Sequence, residues 1–144
     1  MRHTIVLFAI LLFSGCGASE PDVAPLPSQQ PHPGLELASA EREVLPGVHV
    51  RTMRAATESA KPIGEDQTVI FSVTGHVHGG TDIVASLEEV RWRDAPPAWR
   101  AALAGIAPDE VRRVWFCTPE TKKDWGDAAK EPCVVADFAI AEIR

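Results

Sequence analysis

One pair of histidines in this 144-residue sequence has a spacing that could serve metal binding. His76 and His78 stand two positions apart, so on an extended segment both imidazoles point to one side and could hold Zn²⁺ or Cu²⁺ with a third ligand. Two ligands alone do not make a site, and beside Gly79 and Gly80 the pair is typical of an exposed strand end. We therefore expect no metal site and no cofactor.

The first of the three cysteines ends a segment with the features of a secretion signal. A basic start precedes an apolar run over residues 5–13, and the small residues Ser14 and Gly15 come directly before Cys16. The run is too short for a permanent membrane span. We expect residues 1–15 to be a lipoprotein signal peptide and Cys16 to carry acyl chains. An ordinary signal peptide with an incidental cysteine is the alternative.

Residues 16–40 are rich in proline and poor in side chains that could pack, so we expect a tether. Proline-rich chains favour an extended conformation that rises about 3.1 Å per residue, which would let this segment reach roughly 70 Å from a membrane. Gly17 and Ala18 follow the lipidated cysteine, as in Gram-negative lipoproteins of the outer membrane. We therefore expect the periplasmic side of the bacterial envelope, with the outer membrane favoured over the inner.

The charge and the length of the chain limit the kinds of partner and the number of domains that we expect. Fourteen Lys and Arg against 20 Asp and Glu give a net charge of −6, spread along the chain, which argues against nucleic acid as a partner. The Glu88-Glu89 and Arg112-Arg113 pairs are interpreted as solvated faces. Residues 41–144 are enough for one domain of ordinary size.

Two cysteines remain after Cys16 is consumed. An even number in an oxidising compartment favours a disulfide between Cys117 and Cys133. Two small buried apolar residues are the alternative. A catalytic thiol is disfavoured, because the sequence has neither a CxxC motif nor a recognisable Cys–His pair.

Apolar periodicity predicts several strands. In residues 68–74, Val69, Phe71 and Val73 alternate with mostly polar side chains, which is typical of a half-buried strand, and residues 133–140 alternate in the same way. The other predicted strands follow a turn within residues 44–53 or lie at residues 83–84, 90–92 and 111–117. A loop is expected at residues 118–132.

One helix is predicted over residues 95–106. Asp94 would cap it, two prolines occupy its first turn, its body is rich in alanine, and Gly105 stands near its end. Trp99, Leu103 and Ile106 share its inner face. Strands around one central helix imply an α+β domain.

The order of these motifs resembles the FKBP-type peptidyl-prolyl cis–trans isomerases. The similar segments are the approach to a strand at residues 61–75, the Pro96-Pro97-Ala98-Trp99 start of the helix, Trp125-Gly126 in the following loop, and the last strand at residues 134–140. The resemblance implies an antiparallel β-sheet wrapped around one short α-helix. It also implies that the strands flanking Cys117 and Cys133 are antiparallel neighbours, which suits a disulfide.

The same resemblance implies a proline-binding pocket with Trp99 as its floor. Its other members would be Val73, Ile83, Val84, Ala95, Pro96, Trp125 and Ala136. This pocket would be smaller than the family's, because Val73 replaces a Tyr, Ile83 and Val84 replace Phe-Asp, and Ala136 replaces a Phe. Pro96 stands where the family donates a backbone N–H to ligands, and proline has none. Trp125 would replace a loop tyrosine as a donor.

The function implied is therefore prolyl isomerisation in the bacterial envelope. We expect a membrane-anchored folding helper that acts on proline-containing polypeptide clients, with activity weakened by the departures in the pocket. A catalytically inactive FKBP-like binding or structural lipoprotein is the alternative.

Overall fold

The computed structural model describes residues 33–59, 61–77 and 82–144, and within them six strands form one antiparallel sheet. The strands are β1 (Arg42–Leu45), β2 (Val48–Arg54), β3 (Thr68–Val77), β4 (Asp82–Arg91), β5 (Val111–Phe116) and β6 (Val134–Ile143). Their order across the sheet is β1-β2-β5-β6-β3-β4. His78 and the Gly79-Gly80 turn lie outside the described residues.

The two strands with the clearest alternation, β3 and β6, are confirmed and pair with each other as interior strands of the sheet. Val69, Phe71 and Val73 of β3 are all buried. The two short strands predicted at residues 83–84 and 90–92 are instead one continuous strand, β4, because every residue of β3 from Thr68 to Val77 pairs with it. Its polar residues hid this continuity, since an edge strand can expose them.

The turn and strand predicted over residues 44–53 are a complete hairpin of β1 and β2. Gly47 makes the turn with φ of +72°, a conformation that residues with a side chain rarely adopt. A Cβ atom at this position would also overlap the side chain of Thr118, which follows β5.

The predicted helix is present as α1 (Pro97–Leu103), shorter than expected at both ends. Asp94 does not cap it, because Asp94 belongs to a 3₁₀ turn over Trp92–Asp94, and Pro96 is the residue before the first helical turn. Pro97 fits this first position since the N–H that proline lacks would have no helical partner there. Gly105, with φ of +65°, turns the chain after the helix ends.

The segment at residues 118–132, predicted as a loop, is largely helical. It contains α2 (Pro119–Lys122) and a 3₁₀ stretch over Lys123–Lys130. The Thr118 side chain accepts a hydrogen bond from the backbone N–H of Thr121, so it caps α2. The result is an α+β arrangement with two short α-helices rather than one.

The two faces of the sheet are covered differently. Val114 and Phe116 of β5 belong to the main core beneath α1, so the alternating Arg113 and Trp115 point to the opposite face. There they meet residues 33–39, which we call the N-terminal strap. Arg113 Nη1 donates to Gly34 O at 2.8 Å and Trp115 Nε1 donates to Leu35 O at 2.8 Å. The last residues expected in the tether thus pack against the sheet.

The interpretation of Arg112 and Arg113 as solvated is wrong. Each residue is only 7% exposed. Arg112 forms an ion pair with Glu110, and Arg113 forms one with Asp137, so each buried guanidinium has a carboxylate partner. Glu88 and Glu89, by contrast, are exposed as expected.

Candidate functional site

The candidate site is built around Trp99, which α1 holds above the middle of the sheet. Trp99 is half-buried, and its ring packs nearly perpendicular to two aromatic rings below it. The centroid of the Phe138 ring lies 4.8 Å away at an interplanar angle of 76°, and that of Phe71 lies 6.1 Å away at 82°. Edge-to-face packing of this kind fixes the orientation of an indole as well as burying it.

The aromatic rings beneath Trp99 come from positions next to the predicted wall residues Val73 and Ala136. Val73 and Ala136 are buried in the core, at 2% and 0% exposure. Phe71 and Phe138 stand two residues from them on the same strands and therefore on the same face of the sheet. Both phenylalanines are completely buried, so they support Trp99 from the core and do not line the groove. Sequence reasoning missed this supporting role, although each is the aromatic member of its alternating pattern.

Trp125 covers one side of Trp99. Their ring centroids are 6.4 Å apart with an interplanar angle of 37°, and Trp125 also lies 5.6 Å from Phe116 of β5. Both tryptophans pack against the buried core while remaining half-exposed. The structure thus brings Trp125 to Trp99 from the segment after β5, while the role of its indole N–H as a donor to substrate stays a prediction.

A groove of about 220 Å³ opens beside Trp99, between the start of α1 and α2. One wall is mainly apolar and consists of Leu45 and residues 96–99. The other wall is polar and consists of Glu120, Thr121, Lys123 and Asp124. The volume lies below the roughly 300–1,000 Å³ typical of small-molecule pockets, so the groove suits one side chain or ring rather than a large ligand.

The start of α1 offers little hydrogen bonding to a ligand. Pro96 lines the groove and has no N–H. The preceding residue, Ala95, is buried, and its N–H donates to Trp92 O at 3.2 Å. Ile83 and Val84 belong to β4, but the positions of their side chains lie outside the described residues.

A disulfide closes the segment that carries α2 and Trp125. Cys117 and Cys133 are bonded, with their Cα atoms 4.1 Å apart and a separation of 16 positions in the sequence. The bond lies just beyond the last paired residues of β5 and β6, Phe116 and Val134. It therefore fixes both ends of the polar wall of the groove. Cys16, the expected lipidation site, lies outside the described residues.

A charged cluster occupies the opposite face of the sheet. Asp137 accepts hydrogen bonds from Arg113 at 2.7 and 2.8 Å, and His76 Nε2 lies 3.3 Å from its Oδ2 atom. Burial by itself would raise the pKa of Asp137, but the hydrogen bonds from Arg113 and His76 and their charges outweigh it and lower the pKa. His76 is thus the partner of a carboxylate.

Metal binding and a second cavity were the remaining candidates for a site in the described residues. In the ranges that the structure describes, no three His, Cys, Asp or Glu side chains cluster in a way that could hold a metal ion. A larger cavity, of about 710 Å³, lies beyond the other end of α1 between residues 106–109 and the segment before β3. None of the site residues predicted from the sequence lines it.

None of the helices in the described part of the chain is long and apolar enough to cross a membrane.

The antiparallel sheet with α1 on one face is an FKBP-like fold. The chain is similar to the crystal structure of FkpA from Escherichia coli, with a TM-score of 0.50 and 16% sequence identity over 69% of this chain. The match covers 49% of the FkpA chain, so this protein spans about half of that length. No family model and no curated protein sequence matches the chain. At this identity the likeness concerns the fold alone.

Proposed function

We propose that this protein is an FKBP-like peptidyl-prolyl cis–trans isomerase in which Trp99 is the floor of the proline site. The observation that carries the proposal is the placement of Trp99: it borders a groove, while two phenylalanine rings that lie nearly perpendicular to its indole hold it from below. The FKBP-like fold supports the assignment, because FkpA is an FKBP-type isomerase.

The chemistry requires neither a nucleophile nor a metal. Rotation about an X-Pro bond is opposed by amide resonance, with a barrier of roughly 18–20 kcal/mol. A groove with an apolar wall binds the proline ring on the indole of Trp99 and removes water from the amide. The twisted amide has lost its resonance and carries a smaller carbonyl dipole, so it tolerates this environment better than the planar amide does. The barrier falls by that difference.

We expect the rate enhancement to be modest. Pro96 has no N–H to orient the substrate carbonyl, the N–H of Ala95 is already bonded to Trp92 O, and Trp125 covers one side of Trp99. These same observations favour a second candidate, a catalytically silent FKBP-like domain that binds proline-containing segments without turning them over.

The cellular part of the proposal is attachment to the bacterial envelope through Cys16. In the extended conformation expected of a proline-rich tether, the chain from Cys16 to residue 32 would span about 50 Å at 3.1 Å per residue. We expect Cys16→Ser to abolish fatty-acid labelling and to release the protein from the membrane fraction. Unchanged labelling of that variant would contradict the anchor.

The isomerase proposal is tested by NMR exchange between the cis and trans forms of a short X-Pro peptide. Trp99→Leu keeps an apolar side chain but removes the indole, so we expect the acceleration to disappear. Trp92→Phe is the matched control, because Trp92 contacts Phe71 from elsewhere in the aromatic cluster at 6.3 Å. Equal rates for the folded wild type and Trp99→Leu would contradict the proposal.

A further inference from the structure

Helix α1 has few means of its own to hold its position. It has only seven residues, no acidic side chain lies in its first turn, and the residue before it is Pro96. Short helices are marginal without tertiary contacts, and the last carbonyls of any helix need partners. Partners of those carbonyls therefore add to the core contacts of Ala98, Ala102 and Leu103 in setting where α1 lies.

The buried side chain of Arg112 supplies these partners. Its Nη1 atom donates to Ala102 O at 3.0 Å and to Ala104 O at 2.8 Å, at the end of α1. Both bonds come from one planar guanidinium, and a cation at a helix C-terminus is also favoured by the helix dipole.

Glu110 fixes the orientation of that guanidinium. Arg112 donates from Nε to Glu110 Oε1 at 2.5 Å and from Nη2 to Oε2 at 3.2 Å. Glu110 Oε2 also accepts from the backbone N–H of Ala107 at 3.2 Å. The pair thus joins the end of α1, the turn that follows it and β5 into one bonded unit.

The sheet register connects the same arginine to the site. Arg112 of β5 stands directly opposite Phe138 of β6, and the Phe138 ring is 4.8 Å from that of Trp99. Arg112 therefore bonds to the helix that carries Trp99, and it also lies beside Phe138, against which the Trp99 ring packs.

We propose that Arg112, oriented by Glu110, is a positioning residue that sets where Trp99 lies over Phe71 and Phe138. The proposal rests on the proposed role of Trp99 in proline binding. Arg112 itself does not line the groove, so it acts on substrate only through α1.

The neighbouring Arg113 is a matched control for this role. It is equally buried and also paired with a carboxylate, Asp137, but its other bond goes to Gly34 O on the opposite face. Removing both charges of a pair leaves no uncompensated buried charge, which keeps the variants comparable. The two variants are Glu110→Gln with Arg112→Gln, and Arg113→Gln with Asp137→Asn.

The experiment follows the indole N–H resonances of Trp99 and Trp115 by NMR in the full chain, assigned with Trp99→Phe and Trp115→Phe. We expect the Glu110–Arg112 variant to shift or broaden the Trp99 resonance and leave Trp115 unchanged. We expect the Arg113–Asp137 variant to shift or broaden the Trp115 resonance and to leave Trp99 unchanged. In the same samples, kcat/KM for an X-Pro peptide should fall about 10- to 100-fold in the first variant only, through kcat. Arg112→Lys, which keeps one donor group, should recover part of the loss.

The resonances decide the proposal even if the wild type does not isomerise the peptide. An unchanged Trp99 resonance in a folded Glu110–Arg112 variant would overturn the positioning role. Equal disturbance of Trp99 by both variants would also overturn it, because the effect would then be general destabilisation. If the double variant does not fold, the Trp99 resonance of Arg112→Lys is decisive in the same way.

Discussion

The two faces of the sheet use the same kinds of residue for different purposes. Beneath α1, Arg112 bonds to helix carbonyls and Trp99 is half-buried beside an open groove. Beneath the strap, Arg113 bonds to a carbonyl of the strap, and Trp115 is completely buried with its N–H donated to Leu35 O. On the strap side, the tryptophan is covered and its N–H has a hydrogen-bond partner. On the α1 side, part of the Trp99 side chain stays exposed to solvent.

The difference follows from the covering element. The strap approaches the sheet closely enough for its backbone carbonyls to take the donors of Arg113 and Trp115. Most carbonyls within α1 are used by the helix itself, and the two at its end that bond to Arg112 lie away from the groove, so the indole of Trp99 packs through ring contacts and stays half-exposed. Both faces thus have a buried arginine and a tryptophan, but among the described residues only the α1 face has room for a ligand beside the tryptophan.

The largest predicted effect is on stability and separates the two arginines. Arg112→Met leaves Glu110 as an uncompensated buried charge and frees two helix carbonyls, so we expect a loss of about 3–5 kcal/mol in the free energy of unfolding. Arg113→Met should cost less, because the side chain of Asp137 is 21% exposed and water can reach it. Urea unfolding followed by circular dichroism measures both. A larger loss of unfolding free energy for Arg113→Met than for Arg112→Met would contradict this prediction.

The next effect concerns the segment that covers Trp99. Replacing both Cys117 and Cys133 by alanine removes the cross-link around a loop of 16 residues, and the chain-entropy model gives a cost of about 3 kcal/mol. Unfolding of the wild type in a thiol reductant should match that of the variant. If reductant has no effect on the wild type, the disulfide is absent in solution.

A smaller effect is the acid sensitivity of the strap side. The lowered pKa of Asp137 lies below its ordinary value of 3.8, so its stabilising contribution is complete above that value and is lost as the pH falls through the folded-state pKa. We expect the stability gap between wild type and Asp137→Asn to be largest near neutral pH and to shrink below about pH 4. A gap that stays constant from pH 7 to pH 3 would contradict the assignment.

The smallest effect is local to the strap. Trp115→Phe removes the hydrogen bond to Leu35 O but keeps an aromatic ring, so we expect a loss of about 0.5–1.5 kcal/mol. The backbone N–H groups of Ser39 and Ala40, which close a 3₁₀ turn over Leu37–Ser39 in the strap, should exchange faster with deuterium. Unchanged exchange at both positions would show that the strap does not depend on Trp115.

Local patterns in the sequence predicted the strands and helices better than they predicted which residues contact each other in the fold. The alternation in β3 and β6 and the prolines before α1 were sufficient to locate those elements. Thr118 followed by Pro119 was an available signal for α2, because a threonine cap and a proline in the first turn favour a helix start. It was overlooked within a segment rich in charged residues.

What the sequence could not provide was the identity of residues that meet across long separations. The Gly34 and Leu35 carbonyls that Arg113 and Trp115 bind lie about 80 positions away, so two buried residues appeared solvated or merely apolar. The sequence also did not indicate that Phe71, rather than Val73 two positions away, is the residue of β3 whose ring packs beneath Trp99. A strand repeats every two residues, so a shift of two positions leaves the predicted face unchanged.

The central claim is that the accessible tryptophan on the α1 side is the proline site. The most direct measurement is titration of the protein with a short X-Pro peptide while all four tryptophan indole N–H resonances are followed by NMR. We expect saturable shifts at Trp99 and Trp125, with Trp92 and Trp115 unchanged. Shifts confined to Trp115, or no shift at Trp99 at peptide concentrations that saturate known isomerases, would contradict it.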